Sequence, residues 1–229
     1  MLIEDYGLIG DIQTAGLVGR DRSVEWLCLP RFDSASCFSA LLGDEGHGRW
    51  LVAPAGEVRA SSRRYRPGTL VLETKFETAD GAVRVIDFMP RRGEGPPRLM
   101  RIVEGLRGQV PMRMEISLRP DYAAIKPWVE LAPDGAIATA RPDTFRLSTP
   151  LELQIEDGSA NAQFMAVEGA RERLTATGTT AIAGCATRWP SWKPCSRRGT
   201  PKSSCLPGLP PARRHRRSGS RSDHVRRGR

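Results

Sequence analysis

Pro30-Arg31-Phe32-Asp33-Ser34 places a guanidinium, an aromatic ring and a carboxylate on one loop, directly after the apolar run 24–29. Such a trio can hold a sugar, with the pyranose stacked on Phe32 and its hydroxyls bridged by Arg31 and Asp33. The same residues also make an ordinary turn, closed by a local Arg31–Asp33 pair and an Asx turn. Asp87, in Val85-Ile86-Asp87-Phe88, is a carboxylate inside an apolar strand end. A buried, perturbed acid there would be a functional candidate. The reading preferred here is structural: an acceptor of backbone hydrogen bonds, or a partner of the nearby Arg91 or Arg92. Trp26 alternates with Val24 and Cys28, which predicts a core residue, with a solvent-facing sugar platform as the alternative. Trp50 and Trp128 lack the context to choose.

The remaining reactive side chains point to no cofactor. Five cysteines contain no Cys-x-x-Cys pair, and the histidines are His47, His215 and His224. Neither a zinc site nor a disulfide framework is expected, and Cys28 reads as a buried free thiol that behaves as a small hydrophobe. Glycine-flanked His47 has no second histidine before residue 178, so no metal is expected. No P-loop, nucleophile-elbow or dinucleotide-binding glycine pattern occurs. No catalytic residue is assigned.

These groups must be positioned by strands. From residue 1 to 177 short β-type runs are broken by turn residues every eight to twelve positions, which predicts an all-β fold, a large antiparallel sandwich of two packed sheets. Residues 110–118 are the clearest strand, with Val110, Met112, Met114, Ile116 and Leu118 on one face. A hairpin is predicted over 69–88, turning at Ala79-Asp80-Gly81. Ten further strands are expected at 6–9, 14–18, 24–29, 49–53, 99–104, 136–140, 144–148, 151–155, 163–167 and 171–177, and one helical turn near 37–42.

The 229 residues carry a formal net charge of +9, unevenly spread. Residues 178–229 hold 13 basic residues and one acid, Asp223, so this segment is +12 and residues 1–177 are −3. Six prolines and few large aliphatics predict a disordered basic tail. Arg213, Arg214, Arg216 and Arg217 would bind nucleic acid only nonspecifically, through phosphates, and no aromatic interleaves with them. No run of 18 apolar residues exists, so no membrane span is expected, and an N-terminus with acids in place of a basic signal region predicts a cytoplasmic protein.

The stretches IEDYGLIGDIQTAGLVGRDRSVEWLCLPRFDSASCFSALLGDEGHGRW, RRYRPGTLVLETKFETADGAVRVIDFMPRR and RIVEGLRGQVPMRMEISLRPDY resemble the N-terminal domain of bacterial glycoside hydrolase family 15 proteins, the glucoamylase- and trehalase-like enzymes. The resemblance runs to about residue 175. It implies a β-sandwich, inverting hydrolysis of α-glucosidic bonds by intact relatives, and a catalytic α/α barrel after the sandwich that carries the acid and base carboxylates. α-Glucosides or glucans are the ligands it implies. Nothing here matches that barrel, and Asp223 alone cannot form the pair, whose carboxyls stand roughly 6.5–9.5 Å apart. The chain is therefore expected to be a truncated, inactive form.

On the same resemblance, Arg31, Phe32 and Asp33 would form a rim of the sugar pocket or a barrel-facing loop. Self-association through an uncovered barrel-packing face is also expected. Where the family pattern leads one to expect glycine after Asp21, this chain has Arg22, at a cost of about 1 kcal/mol if the left-handed conformation is kept. The tail resembles a coding sequence read out of frame. Residues 189–198 can be encoded so that a second frame reads Ala-Glu-Leu-Glu-Ala-Leu-Leu-Glu-Thr, a helix former, and translating the downstream DNA in three frames tests this. Three other readings compete: a genuine basic tail, a stand-alone glucan-binding module, and a nucleic-acid-associated protein.

Overall fold

The structure is a computed structural model that describes residues 2–180. In chain order the strands are β1 (Gly7–Gly10), β2 (Ala15–Val18), β3 (Ser23–Cys28), β4 (Ser36–Phe38), β5 (Arg49–Pro54), β6 (Ala60–Tyr65), β7 (Leu72–Glu77), β8 (Gly81–Phe88), β9 (Arg98–Ser117), β10 (Trp128–Ala132), β11 (Gly135–Ala140), β12 (Asp143–Ser148), β13 (Gln154–Glu156), β14 (Ser159–Val167) and β15 (Arg171–Thr180). All the strand pairings are antiparallel, as expected for the sandwich. Short 3-10 turns lie at Ile3–Asp5, Ala40–Leu42 and Glu45–His47.

One sheet runs β1-β2-β3-β5-β9-β14-β13, with β4 also on β3; the other runs β6-β7-β8-β9-β15-β12-β11-β10. β9 belongs to both. Its first part pairs with β8 and β15, and residues after Gly108 pair with β5 and β14. The sequence predicts two separate strands here, over 99–104 and 110–118. Instead the chain continues and crosses between sheets at Gly105 and Gly108. Gly108 has φ +64°, and a Cβ there would lie 2.3 Å from the Asp80 carbonyl oxygen; one at Gly105 would lie 2.1 Å from the Val167 oxygen. Only glycine fits such approaches.

Between the sheets Ile9, Val24, Leu27, Phe38, Trp50, Leu72, Phe76, Val85, Met112 and Leu174 form one buried core. Burying each large side chain contributes about 1.5–3 kcal/mol. Asp87 is structural, but its partner is neither Arg91 nor Arg92. β8 and β9 place it opposite Arg101, whose Nε donates to Asp87 Oδ1 at 2.8 Å. The fully buried guanidinium also donates to the carbonyls of Trp50 and Arg22, on the facing sheet. A buried cation is tolerable because these bonds satisfy it. Arg101 thus fastens one sheet to the other.

Trp26 departs from the predicted face. Val18 pairs with Val24 and Leu17 with Trp26, leaving Glu25 as an extra residue. This bulge reverses the alternation: Val24 and Leu27 enter the core, and Trp26 is half-buried against the Tyr122 ring, centroids 6.2 Å apart. Cys28 and Cys37 are buried free thiols. The last strand runs to Thr180, three residues past the expected boundary. The disorder expected of the basic tail, its arginine run and its reading frame fall on residues outside the described ones.

Candidate functional site

The Arg31–Asp33 loop lies at one end of the sandwich, beside the β1–β2 turn. Asp11 is buried and shapes that turn: its Oδ1 accepts from the amides of Gln13 (3.0 Å) and Thr14 (2.8 Å). Its Oδ2 lies 3.1 Å from Arg92 Nε, outside hydrogen-bond alignment but well within ion-pair range. Arg92 in turn donates to the Pro30 carbonyl, and the Phe32 amide donates to Gln13 (3.0 Å). Thr14 Oγ1 donates to the Cys28 carbonyl. The two loops are thereby locked together.

What they present is apolar. Ile12 is held at φ +82°, a conformation β-branched residues rarely adopt, with 76% of its surface exposed; Phe32 beside it is 61% exposed. Arg31 and Asp33 turn toward each other, Nε to Oδ1 at 2.9 Å, and both are exposed. The Arg31 hydrogen bond holds the Asp33 carboxyl below the usual carboxylate range. The loop is closed by the Arg31 amide donating to Ser34 Oγ at 3.1 Å. The local pair is thus present, with Ser34 supplying the side-chain acceptor.

A third segment completes the end. Asp121, Tyr122 and Ala123 are consecutively left-handed, at φ +56°, +55° and +71°. Such strain persists only when surrounding bonds fix it, and here Arg119 donates to the Cys37 carbonyl, Tyr122 to Ser36 and Ile125 to Pro120. Between this segment, the Phe32 loop and the start of β12 lies a cavity of about 330 Å³, lined by Leu29, Ser34, Asp121, Ile125, Asp143 and Phe145 among others. Asp121 is exposed, whereas Asp143 Oδ1 is sealed from solvent without a hydrogen-bond partner.

β15 reaches this end. Gly178 packs on Leu29 and Phe145, and Thr180 pairs with Asp143. By strand register the same end carries Trp128, at the start of β10 and 73% exposed. Phe32 was legible in the sequence. Ile12 was not, because a β-branched residue beside a strand reads as core; nor was the Asp11–Arg92 pair, 81 positions apart. The Asp-x-x-Thr spacing at Asp11 was the available signal for the turn.

Other titratable groups lie elsewhere. Tyr6 donates to Glu25, which is close to Asp21, and burial raises the Glu25 pKa. His47 contacts Asp44, and that bond lowers the Asp44 pKa. Among the described residues no group of three or more His, Cys, Asp or Glu side chains could hold a metal ion, and no helix is long and apolar enough to cross a membrane.

The described residues form two sheets that share β9, with exposed apolar side chains at the end reached by β15. Residues 1–175 match the family described as trehalase-like, N-terminal, and the chain belongs to it. It is 34% identical over 193 residues to a trehalase of Mycolicibacterium smegmatis, covering 73% of this chain and 29% of that protein. A Mycobacterium tuberculosis trehalase is 32% identical over 193 residues, covering 73% and 28%. A Thermoplasma volcanium trehalase is 28% identical over 157 residues, covering 66% and 25%. The match therefore spans less than a third of each of these relatives.

Proposed function

We propose that this chain is the non-catalytic sandwich of a trehalose-hydrolysing type of protein, and that its role is to seat the hydrolytic part on the end built from Ile12, Phe32, Tyr122 and Trp128. The observation that carries this reading is the apolar end formed by Ile12, Phe32, Tyr122 and Trp128. The similarity to trehalases over less than a third of their length supports it. Inversion needs two carboxyls flanking an open space roughly 6.5–9.5 Å wide. Asp143, the carboxylate in the cavity at this end, has its Oδ1 sealed from solvent without a hydrogen-bond partner. Two buried free thiols, Cys28 and Cys37, support a cytoplasmic setting. The purified chain is expected to release no glucose from trehalose or maltose; measurable release would overturn the assignment.

A stand-alone glucan-binding role is the second reading, favoured by the exposure of Phe32. Affinity electrophoresis in soluble glucan separates the two. Retardation abolished by Phe32→Ala supports a binding module, and unretarded migration supports the packing domain.

A further inference from the structure

At the opposite end of β15 from Thr180 the second sheet has a gap. The Gly105 amide donates to the Ala170 carbonyl at 3.1 Å, and these two residues continue the β9–β15 register by one position. Main-chain groups alternate between the two sides of an antiparallel strand. Those of Glu172 and Leu174 therefore face β9, and those of Arg171, Arg173 and Thr175 face the other way. β12 agrees with this from its own side: Thr149 donates to the Asp134 carbonyl at 2.9 Å, which turns Ser148 toward β15, where it pairs with Thr175. Continued by two residues, β12 would set Pro150 opposite Arg173, and proline has no N–H to give. β12 stops at Ser148 instead, and on that side Arg171 and Arg173 have no main-chain partner among the described residues.

The space left is a groove of about 710 Å³, whose walls include Ile102, Pro133, Ser148, Pro150 and Thr175. Its charged side chains differ in what they already hold. Arg171 engages Glu104, Nη2 to Oε1 at 2.7 Å, and Asp134 accepts from Arg146 and from Ser148 Oγ, the latter at 3.4 Å. Glu172 and Arg173 also line the groove, and neither has an ion-pair partner among the described residues. As neighbours on one strand they project to opposite faces of the sheet. A second copy of this chain does not suit the gap. Two-fold pairing through these main-chain groups sets Arg173 against itself or against Arg171, and like charges directly opposite repel.

We propose that this groove receives an extended segment of a different polypeptide, added antiparallel to β15 along Arg171–Leu174, with a carboxylate opposite Arg173 and a cation opposite Glu172. Main-chain bonds to Arg171 and Arg173 give such a strand its affinity, and the two charge pairs give it its sequence. The added strand also covers a ladder edge of the kind that sheets do not ordinarily leave open. The length of β15 separates this site from the Phe32 end, and it does not depend on what that end seats.

The blocked peptide acetyl-Thr-Glu-Lys-Thr-amide places its Glu opposite Arg173 and its Lys opposite Glu172. Titrated into the whole chain and followed by NMR, it is expected to give saturable shifts and slowed hydrogen exchange at the Arg171 and Arg173 amides. Acetyl-Thr-Lys-Glu-Thr-amide should bind about fivefold more weakly or worse, and Glu172→Lys with Arg173→Glu should reverse the preference. Neither peptide has a net charge, so the basic residues 188–229 do not tell them apart. Methylating the Glu nitrogen of the first peptide removes the donor to the Arg173 carbonyl at constant charge and should abolish binding. That arm needs no altered protein, so it stands even should the double variant fail to fold. Absence of saturable binding overturns the proposal. Equal binding of the two peptides, or a folded double variant with the parent's preference, overturns it too. So does a methylated peptide that binds as well as its parent, since charge attraction alone would then explain the contact.

Discussion

Arg22 shows how one position can hold two opposed effects. Its φ of +77° is one that glycine adopts freely, and its carbonyl, turned inward, accepts from Arg101 at 2.8 Å. The side chain lies with its guanidinium 4.3 Å from the Phe76 ring centroid, and burial lowers its pKa. The left-handed backbone costs about 1 kcal/mol, and a cation over an aromatic face returns about 0.5–2 kcal/mol. Arg22→Gly is therefore expected to leave stability within about 1 kcal/mol of the parent, relieving strain while losing the ring contact. Arg22→Ala keeps the strain and loses the contact, so it should be less stable than the glycine variant by about 1 kcal/mol. Urea unfolding of the three proteins measures the order; an alanine variant as stable as the glycine one would contradict it.

The crossing strand sets what its glycines can tolerate. Gly108 and Gly68 share the left-handed region, at φ +64° and +70°, but a Cβ at Gly68 meets nothing within 4 Å. Gly68→Ala should cost about 1 kcal/mol. Gly108→Ala adds a contact with the rigid Asp80 carbonyl and should cost well over about 2 kcal/mol. Equal losses in unfolding midpoint would show that the close approach is not maintained. That one strand continues through Gly105 and Gly108 was not legible in the sequence, because the need for a close backbone approach depends on Val167 and Asp80, far away in sequence. The alternating run ending at Leu118 was legible because its inward residues are all apolar. β6, Ala-Ser-Ser-Arg-Arg-Tyr, was not: an edge strand facing solvent has no apolar face to betray it. β4 and β10 escaped for related reasons, one being too short for a period and the other opening on an exposed tryptophan. In the candidate site Phe32 stood out, while Ile12 and the cavity wall at 121–123 depend on contacts from several loops.

At the scale of the molecule, the exposed side chains of Ile12, Phe32, Tyr122 and Trp128 come from segments scattered through the sequence. Ile12 and Phe32 are rigidly held, so they lose little freedom when covered. The purified chain is expected to self-associate with rising concentration in sedimentation velocity, and Ile12→Ser with Phe32→Ser should shift it toward monomer. A weight-average mass unaffected by the double substitution would place the contact elsewhere.

β9 has a consequence for how this molecule comes apart. Each sheet draws a central strand from the same uninterrupted segment, so neither can melt without stripping partners from the strand the other one needs. Arg101, on that segment, adds a buried tie between them. The sandwich accordingly behaves as a single cooperative unit whose central amides open only with global unfolding. Its assembly waits on pairings between distant parts of the chain, such as β5 with the end of β9, which places it among slow-folding topologies.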